Sequence, residues 1–118
     1  MYFEMYNILS SPYKEACMDQ NPLDIIKSLD PALFDTVSRD NSFTFKEGAL
    51  DAKTKYLIAL ALDAAHGAVN GVKALAFQAL KHGAEKEEVL EAVHVANYIS
   101  GVGSVYTAAT GLAGVFEP

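Results

Sequence analysis

Apolar positions recur every three or four residues along most of this chain, and the recurrence breaks at Pro, Gly and Asp-Pro steps, the signature of consecutive helices. Pro12 opens a candidate short helix over residues 13–18. Asn21-Pro22 reads as a cap followed by a first-turn proline, with Leu23, Ile25, Ile26 and Leu29 as the apolar stripe. Asp30-Pro31 repeats the signal ahead of Leu33, Phe34 and Val37. The polar run 38–45, broken by two aromatics, reads as a loop. Longer helices are expected at about 51–65, capped by Asp51, and at 68–82, stopped by Gly83. Further helices are expected over 85–99, whose first-turn acids suit the helix dipole, and over 105–115, built largely from small residues. Small residues let backbones approach closely, which suits a subunit seam. The fold class is all-α.

From Leu57 to Ala65 the first long helix is apolar on nearly every face apart from Asp63. Such a helix is expected to be buried all round, and a chain of 118 residues has little interior to bury it in. That surplus predicts an obligate homo-oligomer. The domain is expected over 21–118, behind an N-terminal extension at 1–20.

Charge and composition then narrow the function classes. Nine basic against fifteen acidic residues give a net charge of −6 with no Lys/Arg stripe, which excludes a phosphate-backbone partner. No apolar run of membrane-spanning length is free of charge, and the N-terminus has no basic leader, so no membrane contact is expected. Cys17 is the single cysteine and has no internal disulfide partner. A cytoplasmic protein is expected.

The segment 51–84, DAKTKYLIALALDAAHGAVNGVKALAFQALKHGA, resembles the carboxymuconolactone decarboxylase-like superfamily, including its alkyl hydroperoxidase D branch. Gly67, Ala79, Gly83 and Ala84 fall in register with that branch. The register places Ala68 and Gly71 where its Cys-x-x-Cys pair stands, Leu75 where its histidine stands, and Tyr56 where its upstream glutamate stands. The resemblance implies an alkyl hydroperoxidase D-like helical fold assembled as trimers or hexamers. All four relay positions are substituted, so the thiol chemistry, which needs a nucleophilic thiolate and a resolving thiol, is expected to be lost. The decarboxylase branch would place histidines at Asn70 and Leu75 and a glutamate at Gly71, and these too are absent. Lys53 and Lys55 do fit. With His66 they would offer a cation for a substrate carboxylate and a proton donor for an enolate.

Three histidines carry the remaining candidate chemistry. His82, in the last turn before Gly83, suits the helix C-terminal dipole. Asp63-x-x-His66 and Glu91-x-x-His94 each present an acid and an imidazole on one helical face, a ligand set for a divalent metal if the two helices face each other. The same pairs serve equally as structural hydrogen-bonding partners. His66 also precedes Gly67 at the mouth of the resembled site, where Ala68, Asn70, Gly71 and Leu75 would line a small-molecule pocket or close up as tight helix packing. Three functions stand side by side: a non-redox protein binding a small molecule near His66, an acid/base or metal-assisted lyase, and an assembly subunit without chemistry. The cofactor is left open.

Overall fold

The computed structural model describes residues 22–116, and their regular structure is six helices. The expected helix at 13–18, the Asn21 cap, Cys17 and the extension 1–20 lie outside the described residues. The chain divides into two compact units, one ending at Lys46 and the other beginning at Glu47.

In the first unit, α1 (Pro22–Leu29) is joined by a one-residue step to α2 (Pro31–Phe45). The Asp30 carboxylate accepts the Leu33 amide at 3.0 Å, and Pro31 follows in the first turn, so both expected start signals for α2 operate. Lys27 of α1 sits 5.5 Å from the centre of the Phe34 ring. The expected loop at 38–45 is instead the second half of α2. Phe34, Ser38, Asn41 and Phe45 are its half-buried positions, spaced by four, three and four residues, whereas the intervening polar side chains are exposed. The polar run is the solvated face of a helix, with no Gly or Pro to stop it.

The second unit packs α3 (Ala52–Ala65), α4 (Val69–Lys81), α5 (Lys86–Ser100) and α6 (Gly103–Ala113). Asp51 caps α3 by accepting the Thr54 amide at 2.8 Å. Glu85 and Glu88 form a capping box at the start of α5, and Glu88 also reaches Lys53 of α3 at 2.9 Å. That bridge joins the N-terminal ends of two parallel helices. The left-handed glycines Gly67 (φ 78°) and Gly83 (φ 96°) end α3 and α4 in the same way. Ala68 donates to the Asp63 carbonyl and Ala84 to the Ala79 carbonyl, both at 2.9 Å, while each glycine amide reaches back three residues.

The core centres on Leu60, Val72 and Val89, one each from α3, α4 and α5. The helix enclosed by its own chain is α4, where every residue from Ala74 to Ala79 is buried. In α3 only Ala52, Tyr56, Leu60 and Ala64 are buried, one residue per turn. Ile58 and Leu62 remain 46% and 55% exposed. Within one chain α3 is therefore buried along one stripe only, and α4 takes the central place. The small residues of α6 also act within the chain. A side-chain carbon at Gly111 would meet the Val69 carbonyl at 2.8 Å, so α6 lies directly on α4. Helix α6 begins two residues earlier than expected, and Ser104 donates to the Ala96 carbonyl across the turn from α5.

Candidate functional site

The α3–α4 junction gathers the residues of the resembled site. His66 is the exposed C-terminal cap of α3, followed by Gly67 and by Ala68, the half-buried residue that precedes α4. Asn70 is exposed in the first turn of α4, whereas Gly71 and Leu75 are buried in the core. The side chain of Asp63 folds over Gly71. A carbon placed on Gly71 would fall 2.8 Å from the Asp63 carboxyl carbon and into its Oδ2 oxygen. The carboxylate thus takes the place where the second cysteine side chain of the hydroperoxidase pattern would begin.

Its environment changes its chemistry. Burial raises the Asp63 carboxyl above its ordinary 3.8, partly offset by attraction to His66. The result is a half-buried carboxyl beside an exposed imidazole, two groups that exchange protons and carry no electrons.

The other candidates lie elsewhere. Lys53 is held by Glu88 at 2.9 Å, an ion pair that raises the Lys53 ammonium and lowers the Glu88 carboxyl, the latter helped first by the Glu85 amide. Lys53 and His66 sit at opposite ends of α3, separated by roughly 20 Å at the helical rise, and Lys55 is only half a turn nearer. One chain does not bring these lysines to the imidazole. Glu91 and His94 are both exposed on α5. Among the described residues no three His, Cys, Asp or Glu side chains stand close enough to hold a metal ion, so within a chain the two acid–histidine pairs remain pairs. His82 caps α4, its Nδ1 lying 2.8 Å from the Gln78 carbonyl and its ring 5.0 Å from that of buried Tyr56. That placement accounts for it structurally.

One hollow was not foreseen. A groove of about 480 Å³ runs between α3 and α5, floored by Leu57, Ile58, Leu62, Ala92 and Val95, with Glu88 and Glu91 on its walls. Ala68, Asn70, Gly71 and Leu75 do not line it. The signal for it was present in α3, where the pairs Leu57-Ile58 and Ala61-Leu62 form a second apolar stripe beside the buried one.

Known proteins share the fold. The Carboxymuconolactone decarboxylase family model matches residues 31–113. The crystal structure of a carboxymuconolactone decarboxylase family protein from Legionella pneumophila, described as the apo form, superimposes with a TM-score of 0.74 at 33% sequence identity, over 79% of this chain and 83% of the other. Nothing among the curated proteins matches.

Proposed function

This chain belongs to the carboxymuconolactone decarboxylase family and has one cysteine in all, and from that premise we propose a homo-oligomeric, non-redox member that binds a small molecule at the α3–α4 junction around His66. The observation that carries this reading is the Asp63 carboxylate seated against Gly71. At the position the resemblance gives to a thiol, the chain presents a carboxyl with a raised pKa next to an imidazole. These groups anchor a ligand through hydrogen bonds and proton exchange. They supply neither the nucleophile nor the resolving thiol of a peroxidase. Ala68 and Asn70 complete the rim, and the assembly is a trimer or hexamer. A reducing cytoplasm suits a chain with a single cysteine.

The test is a thermal-shift screen with small carboxylic acids, lactones and amines. At least one class stabilises the wild type and loses that effect in both His66→Ala and Asp63→Asn. A screen in which every hit stabilises His66→Ala equally well overturns the site. A hydroperoxide assay with a thiol donor gives no turnover above a Cys17→Ser control, and clear Cys17-dependent turnover overturns the non-redox reading.

A second reading, acid/base turnover of the lyase or decarboxylase type, draws on the same raised carboxyl, since a half-buried acid beside an imidazole is poised to move a proton. Lys53 or Lys55 would join His66 only across a subunit boundary, and a metal held by Asp63, His66, Glu91 and His94 would likewise be shared between chains. Native mass spectrometry of protein purified without chelator separates these versions: excess mass in multiples of one metal supports the shared site, and a bare multimer removes it.

A further inference from the structure

Between Glu91 and Glu117 the sequence contains no Asp, Glu, Lys or Arg, although the rest of the chain is rich in charge. This stretch is not core. Tyr98 and Ile99 at the end of α5 are 87% and 74% exposed, and Val102 and Tyr106 across the Gly101 turn are 63% and 72% exposed. Gly101 (φ 92°) and Gly103 make the turn between α5 and α6 without bulk, and the four exposed apolar side chains flank it as an apolar protrusion by exposure. A water-facing surface that keeps two tyrosines, two aliphatic side chains and no charge has the composition of an interface core.

The same unit carries a hollow of matching character. The groove between α3 and α5 is apolar along its floor, has room for aromatic side chains at about 480 Å³, and ends at Leu62 and Val95. Val95 lies one turn before the protrusion, on the same helix, so a chain cannot fold its own protrusion back into its groove. An exposed apolar turn and an apolar hollow formed by different residues can meet head to tail between copies, and such a contact closes into a ring when its rotation allows. Two fully covered tyrosines contribute about 150–250 Å² each. With Ile99 and Val102 the protrusion supplies on the order of 500 Å², well over half of the ~800 Å² per partner of a standard interface.

We infer that the Tyr98/Ile99/Val102/Tyr106 protrusion of one copy seats in the α3–α5 groove of the next copy, making a heterologous contact that closes the oligomer. This rests on the homo-oligomer part of the proposed function and is independent of any ligand at His66. It gives Ile58 and Leu62 a partner, and the aromatic turn a destination.

The experiment uses two full-length variants, Leu62→Lys to block the groove and Ile99→Lys to spoil the protrusion, one of them isotopically labelled, read by native mass spectrometry. Each variant alone is monomeric. The equimolar mixture forms a 1:1 heterodimer and no ring, because it retains one intact groove and one intact protrusion, and the heterodimer itself certifies that both chains are folded. Ile58→Glu, one turn earlier on the same face, repeats the groove arm. A groove variant that assembles like the wild type, or a mixture that yields no heterodimer, overturns the inference. A wild type that is itself monomeric at micromolar concentration sinks the underlying oligomer reading instead.

Discussion

Asp63 and Gly71 form a pair in which each residue explains the other. The carboxylate is half-buried because Gly71 leaves it a seat, and burial then holds its pKa up. Replacing Gly71 with Ala puts a methyl into that seat and turns the Asp63 side chain outward. Its carboxyl titration, followed by NMR, falls back toward 3.8. Stability changes little, since the gain of about 1 kcal/mol in helix propensity on going from Gly to Ala opposes the lost packing. An unchanged Asp63 titration contradicts this account. The pH dependence has a definite sign. A carboxyl whose pKa is raised by folding contributes stability that is fully present below the unfolded value of 3.8 and lost as pH rises through the higher folded value. Asp63→Asn therefore removes a fall in stability just above pH 3.8, measured by urea denaturation at stepped pH. Asp51 and Glu88 act in the opposite sense, because capping and pairing lower their pKa values and their contribution is lost as pH falls.

At the scale of elements, α3 has two apolar faces with different destinations. Leu60 is fully buried, and Leu60→Ala costs about 2–5 kcal/mol, typical of a core leucine. Thermal melts over a range of protein concentrations show that loss undiminished at every dilution. Most helices were legible in the sequence because their ends are written in local chemistry: Asp30-Pro31, Asp51, Gly83 and Glu85 each act where their residue type predicts. The second half of α2 was not, because its stripe of Phe34, Ser38, Asn41 and Phe45 mixes polar with aromatic and hides the helical period. The site was half legible. Spacing put Asp63 and His66 on one face of α3, and they are neighbours. Spacing cannot report which helix faces which, so the parallel course of α3 and α5, the distance from Lys53 to His66 and the groove all required the fold.

For the whole molecule, the decisive quantity is the apolar surface that stands exposed among the described residues. Ile58, Leu62, Val95, Tyr98, Ile99 and Tyr106 are all substantially exposed within the second unit. No described helix is long and apolar enough to cross a membrane, so a bilayer-spanning helix does not account for that surface among the described residues. Covering it with further copies ties folding to association, and the melting temperature then rises with protein concentration. Each tenfold step changes the association term by about 1.4 kcal/mol, which moves the midpoint by several degrees, on the order of that expected for a small domain. Differential scanning calorimetry across a 100-fold range reads this directly, and a midpoint independent of concentration rejects coupled assembly.

The seat shared by Asp63 and position 71 also constrains how this scaffold can be altered. A carboxylate and a thiol cannot both occupy it, so installing a dithiol here is an exchange rather than an addition. A cysteine at 71 finds room only once the Asp63 side chain has turned out of that seat. A protein engineer who places the cysteine alone obtains a chain with its acid displaced and its thiol unsupported. Any dithiol chemistry built at this junction therefore starts by unseating an acid that one glycine holds.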